Sequence, residues 1–204
     1  PSNSYTGGSI FNNGALLSFP SSAALGTGPI TFNTGSSIYS GAVAFTNALN
    51  LNGGYLHLGG NLDNQTWSGP ISVQNGFSMS GDNAGCQIVL SGPIDIGTSG
   101  ISVTNFGNEG PQGGYQVNQG DILSGIISGS GGITYYCNGT NSRVTVTGAN
   151  TYSGGTIVDS DPANPGGKLN VFGSANPFST GSVTLNAGAI IETYPGNVRI
   201  TNAL

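Results

Sequence analysis

Charge is the property that this sequence has least of. Its 204 residues include three Lys or Arg, eight Asp or Glu and one His, which gives a net charge of −5. The three cations, Arg143, Lys168 and Arg199, are scattered along the sequence. A nucleic-acid interface needs several phosphate-neutralising cations on one surface. We therefore expect no nucleic-acid partner.

Long apolar runs and cysteines are also scarce. No apolar stretch approaches the roughly 18 residues that a membrane-spanning helix needs, so we expect no membrane span. Two cysteines, Cys86 and Cys137, are too few for a disulfide scaffold. In a coiled repeat they would lie about two coils apart, too far for an intrachain bridge. An interchain disulfide remains open.

Glycine is abundant, and it recurs at the same position in each copy of a short repeat. Five copies are SIFNNGAL at 9–16, ITFNTGSS at 30–37, LNLNGGYL at 49–56, ISVQNGFS at 71–78 and VTLNAGAI at 183–190. The first four recur roughly every 20 residues. Apolar and polar residues alternate before each glycine, which is typical of a strand with one buried face. Glycine and the preceding amide indicate a turn, because both tolerate left-handed backbone angles.

Stacking these copies predicts two columns of side chains. The core column contains Phe11, Phe32, Leu51, Val73 and Leu185, and the amide ladder contains Asn12, Asn33, Asn52, Gln74 and Asn186. Like residues in such columns lie ~4.8 Å apart. We therefore predict an all-β fold, a right-handed single-stranded parallel β-helix (β-solenoid) of about nine or ten rungs, roughly 45 Å long. A rung is one complete coil.

A longer period is superimposed on the short one. SNSYTGGSI at 2–10 matches ANTYSGGTI at 149–157, and TNAL at 46–49 matches TNAL at 201–204. The sequence thus predicts one continuous β-helix over 1–204, with a long unit at 1–147, the start of a second unit at 148–204, and loops at about 107–120 and 159–167.

The string GSGGITYYCNGTNSRVTVTGANTYSGGT at 129–156 resembles the autotransporter-associated β-strand repeat. The resemblance extends over 168–190 and 3–35. It departs from the family pattern at Tyr135, Tyr136 and Cys137, where the family has Lys or Thr followed by Gly. The resemblance implies a right-handed parallel β-helix stalk of a bacterial surface or secreted protein, without catalytic residues or cofactor.

From this resemblance we expect a non-enzymatic structural element that lies outside the cell or at the cell surface. It would be a stalk segment or a head-to-tail filament subunit, whose partner is another copy or a continuation of the same chain. One alternative is an adhesin that binds glycans or a host surface through the loops at 107–120 and 159–167. A further alternative is a polysaccharide lyase or hydrolase, which needs paired carboxylates or cations on one face.

Only one group of acids is close in sequence. Asp159 and Asp161 with Asn164 form a candidate Ca²⁺ site, because hard cations take oxygen ligands from such runs. The alternative is a loop that uses these residues for turns. No other metal ligand set is predicted, since His57 has no second histidine to share a metal and should point outward between two inward leucines.

The aromatic residues allow two interpretations. Eight tyrosines and Trp67 are dispersed along the chain. They could line a sugar-binding groove, or they could stack within the repeat. Tyr152 matches Tyr5 across the long period, which favours structural stacking.

Overall fold

Short parallel strands are the main regular elements of the residues that the structure describes. A computed structural model describes residues 2–18, 21–58, 64–81, 87–105, 121–138, 142–163, 166–171, 176–193 and 200–203. The first eleven strands are β1 (Ser9–Phe11), β2 (Leu16–Ser18), β3 (Ile30–Asn33), β4 (Ser37–Ser40), β5 (Val43–Phe45), β6 (Leu49–Asn52), β7 (Tyr55–Leu58), β8 (Asn64–Trp67), β9 (Ile71–Val73), β10 (Phe77–Gly81) and β11 (Gln87–Leu90). The next ten are β12 (Ile94–Asp95), β13 (Ile101–Asn105), β14 (Asp121–Leu123), β15 (Ile127–Ser128), β16 (Ile133–Cys137), β17 (Arg143–Val146), β18 (Thr156–Ser160), β19 (Lys168–Val171), β20 (Val183–Leu185) and β21 (Ile190–Thr193). A short 3₁₀ helix spans Ser22–Leu25.

The strands form three sheets that the chain visits in rotation. Sheet 1 contains β1, β3, β6, β9, β12 and β15; sheet 2 contains β2, β4, β7, β10, β13, β16, β18 and β20; sheet 3 contains β5, β8, β11, β14, β17, β19 and β21. Neighbouring strands pair in parallel, one rung apart. The predicted all-β parallel β-solenoid is confirmed. Its right-handed winding stays a prediction, in line with the strong right-handed preference of parallel crossovers.

The solenoid has fewer rungs than predicted. The three sheets contain six, eight and seven strands, and the eight strands of sheet 2 span about 34 Å at the usual strand spacing. The estimate of nine or ten assumed rungs of near-constant length. Ile30 pairs with Leu49, but Ile94 pairs with Ile127, so one rung is much longer than its neighbours. That rung includes the predicted loop at 107–120, which lies outside the described residues.

The core is a stack of side chains that point into the coil. In sheet 3, the rings of Phe45 and Trp67 stack with centroids 3.9 Å apart, and both are fully buried. Phe32 of sheet 1 meets Trp67 edge-on at 6.4 Å. Burying each such side chain contributes on the order of 1.5–3 kcal/mol. Because the covering atoms belong to adjacent rungs, no rung is stable without its neighbours.

The predicted core column holds for sheet 1 and fails at its last member. Phe11, Phe32, Leu51 and Val73 occupy paired positions in β1, β3, β6 and β9. Leu185 instead lies in sheet 2, where it pairs with Val158. The prediction was wrong for Leu185 because the second long unit does not begin on the same sheet as the first.

The amide ladder also runs along sheet 1, with one substitution. Asn33 Nδ2 donates to Asn12 Oδ1 at 2.8 Å, and Asn52 Nδ2 donates to Asn33 Oδ1 at 3.0 Å. The next donor to Asn52 Oδ1 is Asn75, not the predicted Gln74. Gln74 and Asn75 are adjacent amides before Gly76, and the second of them continues the ladder. Asn186, the fifth predicted member, follows β20 in sheet 2.

Backbones approach very closely at the corner between sheet 3 and sheet 1. A Cβ atom on Gly92 would lie 1.8 Å from the carbonyl oxygen of Gly69, and one on Gly125 would lie 1.8 Å from that of Gly92. No side chain fits at such distances. This explains why SGPI at 68–71, SGPI at 91–94 and SGII at 124–127 recur at this corner.

Hydrogen bonds recur at the long period. Asn3 Nδ2 donates to Ala24 O, and its sequence match Asn150 donates to Pro177 O, each at 2.7 Å. Likewise Asn47 Nδ2 donates to Gly28 O, and its match Asn202 donates to Gly181 O. The matched strands change sheet: β1 and β3 lie in sheet 1, whereas β18 and β20 lie in sheet 2. The second copy therefore starts one face further around the coil. The division at 147 and 148 stays a prediction.

Helices contribute little to this architecture. Within the described ranges, no helix is long and apolar enough to cross a membrane.

Candidate functional site

Charged side chains meet at the edge where sheet 2 passes into sheet 3. Arg143 and Lys168 begin β17 and β19 and pair directly with one another. Lys168 also forms an ion pair with Glu192 of β21. These two cations are distant in the sequence but adjacent in the fold, while Arg199 lies outside the described residues. The sequence does contain a signal for this pairing, because each cation is followed by three residues that alternate apolar, polar, apolar.

The two aspartates of the candidate Ca²⁺ site are used in local turns. Asp159 Oδ1 accepts from the backbone N–H of Ser160 at 2.8 Å, and Asp161 Oδ1 accepts from that of Ala163 at 2.9 Å. Asn164 lies outside the described residues. No group of three metal-binding side chains occurs within the part of the chain that the structure describes. Calcium binding here stays a prediction.

Tyr136 lies beside these aspartates and pairs with Asp159 in register. Partial desolvation, then the charges of Asp161 and Asp159, raise the pKa of the Tyr136 phenol. The phenol therefore stays neutral at physiological pH. It can donate a hydrogen bond, and its ring lies on the outward face of sheet 2.

A carboxyl group lies inside the solenoid at Asp121. It occupies an inward position of β14 opposite Val144 and is fully buried. Asp121 Oδ1 accepts from the N–H of Ile88 at 2.9 Å, and Oδ2 accepts from Asn105 Nδ2 at 2.6 Å. Burial raises the pKa of Asp121 to about 7, and the two hydrogen bonds limit the rise. Asp121 thus titrates near neutral pH.

Asn105 extends this buried network to a third rung. Its Oδ1 accepts from Ser142 Oγ at 2.7 Å and from the N–H of Arg143 at 3.1 Å. The sequence analysis missed Asp121, which it treated as an isolated acid. A signal was present, because DILSG at 121–125 aligns with IVLSG at 88–92 and puts Asp121 in the column of Ile88.

Some of the aromatic residues are buried in the core, and others lie on the outward faces. Trp67, Tyr135 and Tyr152 are fully buried, so they cannot contact a sugar. On the outward face of sheet 2, the His57 ring lies between Tyr39 and Tyr55, with centroids 4.9 and 5.3 Å away. His57 points outward as predicted. This cluster follows from parallel stacking of β4 on β7, which linear spacing does not reveal.

Cys137 is a core residue. It is fully buried, its Sγ donates to the carbonyl oxygen of Lys168 at 3.4 Å, and burial raises the pKa of its thiol to about 12. It is therefore a poor nucleophile. Cys86 lies outside the described residues, so the expected absence of an intrachain bridge and the open interchain bond stay predictions.

Both ends of the solenoid present strand edges. β1 and β2 at one end pair only with β3 and β4, and β20 and β21 at the other end pair only with β18 and β19. Leu185 occupies an inward position, yet it is 50% exposed because no described rung covers it, whereas its neighbour Val158 is fully buried. The last described residues begin to cover this end, since the N–H of Val183 donates to the carbonyl oxygen of Ala203 at 2.8 Å.

Comparison of the chain with protein-family models, with curated proteins and with solved structures finds no significant match.

Proposed function

We propose that this chain is a non-enzymatic structural β-solenoid that acts outside the cell or at its surface. In this proposal it is a stalk segment or a head-to-tail filament subunit of a bacterial surface or secreted protein of the autotransporter-associated repeat type. The observation that carries the proposal is that the distinctive residues of the repeat motif form the hydrogen bonds and packing contacts between adjacent rungs.

The motif TGANTYSGGT at 147–156 supports this role residue by residue. Asn150 accepts from the N–H of Ile127 and donates to the carbonyl oxygen of Pro177, so it joins adjacent rungs. The buried Tyr152 hydroxyl shares a 2.5 Å hydrogen bond with Thr156. A Cβ atom on Gly154 would lie 2.3 Å from the backbone nitrogen of Gly132. Packing and hydrogen bonds between rungs are sufficient to account for these residues.

The scarcity of charge supports the same role. Paired strands place like positions in register at every rung, and like charges directly opposite one another are destabilising. Neutral Ser, Thr and Asn side chains avoid that repulsion along the faces.

Head-to-tail assembly is tested by electron microscopy and sedimentation of the full chain over a range of concentrations. We expect rods that lengthen with concentration. Leu185→Lys places a charge on the uncovered end and should leave single short rods. Thr66→Lys, on the outward face of sheet 3 in the middle of the stack, is the matched control and should assemble normally.

The same experiments distinguish a filament subunit from a stalk segment, and they can also overturn the structural role. Short rods at every concentration for the unsubstituted chain would remove the filament and leave the stalk segment. The structural role would be overturned if electron microscopy showed compact particles instead of rods. It would also be overturned if the purified chain released sugars from a panel of polysaccharides.

A further inference from the structure

A groove of about 610 Å³ runs along the solenoid axis where the strands of sheet 2 begin. Four outward side chains form a column along it, and they pair in register from β13 to β20: Ser102, Thr134, Ile157 and Thr184. Beside this column lie glycines two residues earlier in the chain: Gly100, Gly132 and Gly155. The groove therefore crosses four rungs, about 14 Å from the first strand to the last.

The groove is polar without being charged. None of its lining residues carries an ionisable acidic or basic side chain. In the described part of the chain, the hydroxyls of Ser102, Thr134 and Thr184 make no side-chain hydrogen bond, so they face solvent with donor and acceptor capacity unused. Ile157 adds one apolar surface that is 39% exposed.

Backbone N–H groups along the groove already form hydrogen bonds within the solenoid. The N–H groups of Ile101, Ile133 and Thr156 donate to carbonyl oxygens one rung further on, at 3.0, 2.9 and 2.7 Å. An extended peptide that binds by strand addition needs a free strand edge. The groove offers hydroxyl groups instead, in a row that repeats once per rung.

We propose that this groove binds a neutral, extended, β-1,4-linked glycan that lies along the solenoid axis with one sugar over each rung. The spacing of ~4.8 Å between rungs is close to the length of one pyranose unit in such a chain. Side-chain hydroxyls exchange hydrogen bonds with sugar hydroxyls, and Ile157 packs against a C–H face of the ring. This binding goes beyond the structural role and does not depend on it.

The proposal is tested by titration calorimetry of the full chain with β-1,4-linked gluco-, manno- and xylo-oligosaccharides of two to six sugars. Affinity should rise from the disaccharide to the tetrasaccharide and then level off, because the groove spans four rungs. Thr134→Val with Thr184→Val keeps the side-chain shape and removes two hydroxyls, so it should weaken binding about tenfold. Thr66→Val, on sheet 3, is the control and should bind normally.

Two further probes define the ligand class. Maltohexaose coils and should bind more weakly than the extended hexasaccharides. Hexagalacturonate is anionic, like the chain, and should also bind weakly. The proposal is overturned if no β-1,4-linked probe binds, if the double Thr→Val variant binds as well as the unsubstituted chain while melting at the same temperature, or if an unstructured Gly/Ser peptide competes for the site.

Discussion

The side-chain amide of Asn105 donates a 2.6 Å hydrogen bond to the carboxyl group of Asp121, and both residues are fully buried. In sequence they flank segment 106–120. Asn105 ends β13 in sheet 2 and Asp121 begins β14 in sheet 3. The bond thus fixes the point where a long rung rejoins the stack, and it does so with an ionisable group in an apolar column.

The free energy of unfolding should therefore fall as pH rises from about 4 to about 7. The native pKa of Asp121 is raised from 3.8 to about 7, so the native state holds a proton that the unfolded chain releases near pH 4. The contribution of protonated Asp121 to the free energy of unfolding is fully present below pH 4 and is lost as pH rises to about 7. At 1.36 kcal/mol per pKa unit, the loss approaches about 4 kcal/mol. Urea unfolding between pH 4 and 8 measures it.

Asp121→Asn is the comparison for the pH experiment. The amide cannot ionise, so the curve for this variant should be flatter between pH 4 and 7 than that of the unsubstituted chain. Parallel curves for the two proteins would show that another group controls the pH dependence.

Substitution of a corner glycine should be costly. In Gly92→Ala the new methyl group would overlap the carbonyl oxygen of Gly69, and neighbouring rungs would have to separate. We expect a loss of about 3 kcal/mol in the free energy of unfolding. Gly100→Ala is the matched control, since its nearest atom would be 3.9 Å away, and it should change stability little. Thermal and urea unfolding measure both variants. If Gly100→Ala lowered the free energy of unfolding as much as Gly92→Ala does, the packing explanation would be contradicted.

The buried asparagine of the repeat motif should matter more than its exposed counterpart. Asn150→Ala leaves the N–H of Ile127 and the carbonyl oxygen of Pro177 without their partner. Unsatisfied buried groups cost about 1–3 kcal/mol each, so we expect a loss of about 3 kcal/mol. Asn3→Ala removes the equivalent bond to Ala24 at an exposed site and should cost less than about 1 kcal/mol. A larger loss for Asn3→Ala would refute this ranking.

Cys137 should resist thiol reagents in the native protein. Its thiol is buried and its pKa is raised to about 12, so almost no thiolate exists at pH 8. In a Cys86→Ser background, the single remaining cysteine should react with 5,5′-dithiobis(2-nitrobenzoate) only after denaturation. Rapid stoichiometric reaction of the folded protein would show that β16 is open to solvent.

Local sequence patterns were sufficient to predict the stacked strands. Phe11, Phe32 and Leu51 share a column because alternation and glycine turns both repeat at short range. The pattern failed where a long-range relationship decides the outcome. Leu185 carries the same local signature, but it lies one sheet further around because the long repeat does not comprise a whole number of rungs.

The candidate sites were less predictable than the fold. The cluster of Tyr39, Tyr55 and His57 depends on how β4 is registered on β7, and local spacing does not determine that register. The row of hydroxyls from Ser102 to Thr184 required three register relationships across insertions of different size. Both sites are products of stacking.

The parallel stack itself is tested most directly by a spin-label distance between positions 31 and 128. Thr31 and Ser128 occupy one outward column of sheet 1, connected through Asn50, Ser72 and Asp95. Four strand spacings separate their backbones, which gives about 19 Å. Labels on Thr31→Cys and Ser128→Cys, in a Cys86→Ser background, should give a narrow double electron–electron resonance distribution close to that backbone distance. A broad distribution centred far beyond it would contradict the stacked solenoid.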